Sequence, residues 1–332
     1  MTGNRLPVLD GVRAISIGLV LAAHLLPLYF FGHKLNESIG MLGMALFFGL
    51  SGFLITRQIV AGATFTEFIV RRLCRVVPAA WVCLAITFHF IGPEIETALR
   101  NYLFIANLPP QTLIPPLEHF WSLNLEMQFY LFSAILIGFN RNLVWVIFPV
   151  LLLAVIGIRI NDGVMAGSLT IYRADDLLAG ACAALLFMHP RISALAGRLG
   201  FGHWVLTVTM LVGLVLSTLL LKDYPGNPFL YMHSIFLLGL LVSLIFNKTE
   251  RINRLLTSRP LVYVASISYA IYLWHMPLAA TWLGSGDLLE KYLKRPLLMA
   301  CVFAVAHLST FTIERAVSNA ASRFIRNQQV SA

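Results

Sequence analysis

Apolar runs recur along the whole chain, separated by short polar segments rich in Arg, Gly and Pro. Ten of them stand out: Val12–Phe31, Ile39–Val60, Val76–Gly92, Ser122–Phe139, Leu143–Arg159, Ala174–Met188, Trp204–Leu221, Phe229–Phe246, Tyr263–Leu283 and Pro296–Ile313. Most approach the roughly 20 helical residues that match a hydrocarbon core of about 30 Å. The pattern predicts an all-α fold, a polytopic membrane helix bundle of about ten transmembrane helices. Ala174–Met188 is the shortest and weakest of the ten. Arg5 before the first run gives it the look of a signal peptide. However, Asp10, Arg13 and His24 interrupt that run and no small-x-small cleavage site follows, so it reads as a retained helix.

Composition agrees with the pattern. Of 332 residues 58% are hydrophobic and 12% charged, with a mean hydropathy of +0.80, which excludes an ordinary soluble domain. The net charge of +9 has a topological origin. With both termini cytoplasmic, 16 of the 24 Lys and Arg residues but only Asp10, Glu67, Glu250 and Glu314 among the acids fall on the inner side. That distribution predicts a multi-pass membrane protein with both termini cytoplasmic and gives no reason to expect nucleic-acid binding. Cys74, Cys83, Cys182 and Cys301 lack CxxC or metal-type spacing and read as packing residues, so no metal is expected. The longest polar segment is the outer loop of residues 93–121, partly apolar and rich in Pro. Loops of this length are usually functional or disordered, and this one is a candidate cover for a site.

Titratable side chains inside a membrane helix are costly and tend to be functional. Arg13 and His24 are eleven residues apart, close to three turns, so they share a face about 16 Å apart along the first helix. Ser122 and Glu126 in FWSLNLEMQFYL share a face one turn apart, with Glu126 about 6 Å below the outer end of its helix. His275, in SYAIYLWHMPL, is placed at similar depth; it reads equally as a packed histidine bonded to a carbonyl. Glu126 reads alternatively as a partner for an internal arginine such as Arg173, and Asp175 and Asp176 as markers of the outer interface. Arg71, Arg72 and Arg75, at the inner end of the third run, fit ordinary positive-inside anchoring or a phosphate clamp, since guanidinium forks bind phosphate oxygens bidentately. A basic cluster inside and a His/Glu pair nearer the outside suit a coenzyme A thioester whose polyphosphate stays cytoplasmic.

In that arrangement His24 takes the proton of an acceptor hydroxyl as it attacks the thioester carbonyl. Glu126 orients the imidazole, and Ser122 bonds the acceptor or the oxyanion.

LPVLDGVRAISIGLVLAAH, ALFFGLSGFLI, FIVRRLCRVVPAAW, FWSLNLEMQFYL, YRADDLLAG and SISYAIYLWHMPL occur in one order along nearly the whole chain. Together they resemble the membrane acyltransferase 3 family, and within it the bacterial O-antigen and exopolysaccharide O-acetyltransferases. The resemblance implies one membrane acyltransferase domain over 1–332, with the family's Arg/Lys-x10-His motif at Arg13 and His24, Arg-x-x-Arg at Arg72 and Arg75, and Ser-x-x-x-Glu at Ser122 and Glu126. His24, Glu126 and Ser122 are the expected catalytic group. Arg13, Arg72 and Arg75 are the expected contacts to an acyl-CoA donor, most often acetyl-CoA, and Arg173, His275 and Trp121 are candidate cavity residues. The acceptor implied is a hydroxyl of a surface or exported carbohydrate or glycolipid.

Two features depart from the family pattern. The tail reads IERAVS, keeping Glu314 and Arg315 without the family's Pro, and no extracytoplasmic esterase-like domain is expected after Ala332, which leaves room for a separate transfer protein. The rival readings are acylation of a macrolide sugar or a glycolipid, which the same motifs would serve, and a secondary transporter. Against the transporter, the chain has no matching halves with Gly/Pro-broken helices at corresponding positions.

Overall fold

The computed structural model describes residues 6–26, 33–164, 167–196, 202–219, 228–246 and 250–331, and among these every regular element is helical. In chain order they are α1 (Pro7–Leu25), α2 (His33–Val60), α3 (Phe65–Ile91), α4 (Ile95–Tyr102), α5 (Phe120–Asn140), α6 (Val144–Asp162), α7 (Thr170–Met188), α8 (Pro190–Ala196) and α9 (Gly202–Leu219). They continue with α10 (Pro228–Tyr231), α11 (His233–Phe246), α12 (Glu250–Leu256), α13 (Arg259–Ala279), α14 (Leu288–Ser309) and α15 (Arg315–Ser331), the last two joined by a π turn at Thr310–Glu314. Lipid offers no partner for backbone amides, so an apolar chain must satisfy them within its own helix.

Each of the ten apolar runs falls on a helix, with differences at the ends. The end of the first run, at residues 27–31, and the end of the seventh, at 220–221, lie outside the described residues. The eighth run is divided between α10 and α11. Among the described residues six helical stretches are long and apolar enough to cross a bilayer: Pro7–Leu25, Leu35–Val60, Phe65–Ile91, Phe120–Asp162, Arg259–Ala279 and Leu288–Asn327. Trp204–Leu219 and His233–Phe246 are shorter apolar helices, and α7 carries three charges within four residues, at Arg173, Asp175 and Asp176. The molecule is a multi-pass membrane protein.

The helices form two compact units, one of Met1–Gly62 with Phe139–Ala265, the other of Ala63–Gly138 with Ser266–Ala332. In the first unit α2 crosses α7 at glycines. A Cβ at Gly52 would lie 1.9 Å from the Leu177 carbonyl oxygen, and one at Gly180 would lie 1.9 Å from that of Gly49. Small residues let helices in lipid approach to backbone contact. In the same unit α1 is tied to α2, since Ser16 Oγ donates to the Gly43 carbonyl at 2.8 Å.

In the second unit α3 begins at a Thr64 cap, whose Oγ1 accepts from the Glu67 amide at 3.3 Å, and ends at Gly92, whose φ of 63° suits a residue without Cβ. The 93–121 segment is ordered and contains α4. Arg100 Nη2 donates to the Leu108 carbonyl at 2.7 Å, and Gln128 Nε2 on α5 donates to Asn107 Oδ1 at 2.9 Å. These bonds fasten the loop to α5.

Candidate active site

In the second unit α3 and α5 bring Arg72, Tyr130 and Glu126 together. On α5 Glu126 and Tyr130 are one turn apart, and the Tyr130 hydroxyl donates to Glu126 Oε1 at 2.7 Å. On α3 Phe68 and Arg72 are likewise one turn apart. The Arg72 guanidinium carbon lies 5.4 Å from the Tyr130 ring centroid and 5.9 Å from that of Phe68, and the two rings meet edge to face. All four side chains are buried. A desolvated guanidinium is stabilised by ring faces, and the charge of Glu126 acts on it as well.

The expected arginine pair is therefore divided. Arg72 packs inward, Arg75 one turn later is exposed, and Arg71 is exposed and pairs with Glu67 at 3.1 Å. The π turn after α14 packs against α3, its Glu314 accepts from Thr310 Oγ1 at 3.0 Å, and the charge of Arg75 acts on this carboxylate.

Ser122, one turn before Glu126, belongs to a second buried cluster. Its Oγ lies 2.5 Å from the Tyr272 hydroxyl on α13 and 3.2 Å from the His119 carbonyl, to which Tyr272 also donates. The His119 and His275 rings are edge to face at 4.9 Å. Because a carbonyl can only accept, the contact of His275 Nδ1 with the Tyr272 carbonyl at 2.7 Å puts a proton on Nδ1. The contact of His119 Nε2 with the Leu273 carbonyl at 3.3 Å does the same for Nε2. In their neutral forms the rings carry their lone pairs on opposite nitrogens, Nε2 of His275 and Nδ1 of His119. His275 is thus the carbonyl-bonded histidine of one sequence reading, and it also borders Ser122's hydrogen-bond network. Trp121 is half-buried beside it in sequence.

The first unit holds Arg13, His24 and Arg173. Arg13 is half-buried near the start of α1 and His24 is exposed in its last turn. Asn36 Nδ2 donates to the carbonyls of Ala23 at 2.7 Å and Leu26 at 3.0 Å, fixing the backbone on both sides of His24.

Arg173 lies elsewhere in this unit, within a buried ionic cluster. It pairs with Asp176 at 3.7 Å, Arg159 pairs with Asp175, and His233 Nε2 lies 3.1 Å from Asp176 and 3.5 Å from Asp175. Asp175 and Asp176 are fully buried, which corrects their reading as interface markers: each is enclosed because an arginine offsets its charge. Asp175, Asp176 and His233 are close enough to one another to hold a metal ion. Two guanidiniums already balance the two carboxylates, and a divalent ion there would bury excess positive charge.

Sequence reasoning missed His119, Tyr130, Tyr272, Arg159 and His233. Tyr130 had a local signal, its four-residue spacing from Glu126. The others meet their partners only in the fold.

A family model described as an acyltransferase domain matches residues 6–315. The chain is 28% identical over 353 residues to the peptidoglycan O-acetyltransferase OatA of Listeria monocytogenes, covering 93% of this chain and 55% of that protein. It is 27% identical over 318 residues to the O-acetyltransferase OatA of Staphylococcus aureus, covering 82% of this chain and 50% of that protein. The chain thus spans about half the length of the curated relatives it matches. No solved structure matches it. The chain belongs to the membrane acyltransferase family that this acyltransferase domain defines.

Proposed function

We propose that the chain is a membrane O-acetyltransferase that moves an acetyl group from cytoplasmic acetyl-CoA to a carbohydrate hydroxyl reached from the outer side of the bacterial cytoplasmic membrane. In this reading ten helices cross the bilayer and both termini are cytoplasmic. The observation that carries it is the buried chain from Arg72 through Tyr130 to Glu126, one turn from Ser122, within a chain matched by the family over nearly its whole length. The relatives' names, which specify O-acetylation and in one case peptidoglycan, support an envelope carbohydrate as acceptor.

Arg75, exposed at the same end of α3 as Arg72, meets the coenzyme A phosphates, with Arg72 behind it and Arg13 lining the donor path. His24, exposed on α1, removes the acceptor proton as the hydroxyl oxygen attacks the thioester carbonyl. The tetrahedral intermediate collapses with cleavage of the C–S bond, and the imidazolium returns the proton to the departing thiolate. A well-placed base contributes about 10²–10⁴-fold to such a step. Glu126, held by the Tyr130 hydroxyl, is the buried carboxylate of this reading.

The test is consumption of radiolabelled acetyl-CoA by purified protein in detergent. His24→Ala is expected to bind acetyl-CoA without turnover, and Arg72→Ala/Arg75→Ala to lose binding. Turnover by the histidine variant at the wild-type rate refutes the base assignment, and a folded wild type that neither binds nor consumes acetyl-CoA refutes the donor.

A further inference from the structure

Tyr130 touches two partners, Glu126 through its hydroxyl and Arg72 through its ring and its hydroxyl. Its hydroxyl has one proton, which goes to Glu126 Oε1 at 2.7 Å, and this bond fixes the rotation of the carboxylate and so the direction in which Oε2 points. Its ring lies 5.4 Å from the Arg72 guanidinium carbon, and Phe68 lies beside it at 5.9 Å, with the two rings edge to face at 87°. The guanidinium is thereby packed against a pair of aromatic rings.

Arg72 and Glu126 come from different helices separated by the whole 93–121 segment, yet this one side chain touches both. Burial makes the link stiff: Tyr130 is 3% exposed, Glu126 4% and Arg72 7%.

We propose that Tyr130 is a positioning residue that holds the Glu126 carboxylate through its hydroxyl and the Arg72 guanidinium through its ring, coupling the donor-anchoring end of the site to its carboxylate. This rests on the acetyltransferase reading above. The two halves of the side chain separate by substitution. Tyr130→Phe keeps the ring and deletes the hydroxyl. Tyr130→Leu deletes both and keeps an apolar side chain.

The experiment measures kcat for acetyl-CoA consumption, Kd for acetyl-CoA and apparent Tm on the full chain in detergent. For Tyr130→Phe the expected result is a kcat lowered about 10- to 100-fold, the loss that goes with one charge-assisted hydrogen bond, with a Kd raised less than in Tyr130→Leu. For Tyr130→Leu the same fall in kcat is expected together with a Kd raised about fivefold or more. A purely structural tyrosine moves Tm and lowers the active fraction without separating kcat from Kd. Tyr130→Phe with wild-type kcat overturns the hydroxyl's role, and Tyr130→Leu with wild-type Kd overturns the ring's. A folded wild type that does not consume acetyl-CoA overturns the donor reading itself, an outcome distinct from either.

Discussion

Substituting Gly180 by Ala is expected to separate two helices that are in backbone contact. The new methyl would sit 1.9 Å from the Gly49 carbonyl oxygen, 2.6 Å from its carbon and 2.7 Å from its Cα. Ordinary contact begins near 3.4 Å, so α7 and α2 must part by about 1.5 Å, and no flexible side chain is present to move instead. Overpacking of a filled interior costs about 1–3 kcal/mol, and the neighbours of Gly180 on α7, from Ala179 to Ala184, are nearly all fully buried. At roughly 2–4 °C per kcal/mol, apparent Tm should fall by about 2–12 °C. Because α1 hangs on α2 through Ser16 and Gly43, the displacement also reaches the helix that carries His24, and acetyl-CoA consumption should fall with it.

Gly18 and Gly157 are the controls. A Cβ at either meets nothing within 4 Å, and alanine there relieves a helix-propensity cost of about 1 kcal/mol. Thermal unfolding in detergent, followed by loss of the monodisperse peak, compares the three variants. A Gly180→Ala protein as stable as Gly18→Ala would refute the close crossing.

Arg159→Met leaves Asp175 buried without its cation and should destabilise the protein by about 3–5 kcal/mol. Arg159→Met/Asp175→Leu should recover most of that loss, and a double variant no more stable than the single one would count against the pairing. Asn36→Ala removes both bonds that hold the last turn of α1. At about 1 kcal/mol each these are local losses, so kcat should fall several-fold while Tm moves little; an unchanged kcat would show that this turn needs no fastening.

The helices were legible because a bilayer leaves an apolar run few alternatives to a helix. Run length thus located most of the helices. The exceptions have identifiable causes. Residues 93–121 read as a loop because Pro and polar residues dominate them, yet Ile95, Ala98, Leu99 and Tyr102 keep the spacing of one helical face, and α4 lies there. The run on α7, Ala174–Met188, read as doubtful because it is short, and Arg173, Asp175 and Asp176 are expensive there one by one. Their cost is offset by Arg159 from α6 and His233 from α11, a balance that exists only in three dimensions.

The site divides in the same way. Ser122, Glu126 and Tyr130 share one helix, and their spacing can be read from the chain. Tyr272 meets Ser122 across 150 residues, and no local pattern announces it. Pro277 shows how a local rule acquires a distant consequence. It lies inside α13 and lacks the amide that would bond to the carbonyl four residues earlier. That carbonyl is Leu273's. In the fold it accepts from His119 Nε2 and from Cys83 Sγ at 3.5 Å, so the missing backbone donor is replaced from the loop and from α3. The tautomer of His119, and with it the nitrogen that carries the lone pair beside His275, is set by a proline that the sequence places on another helix.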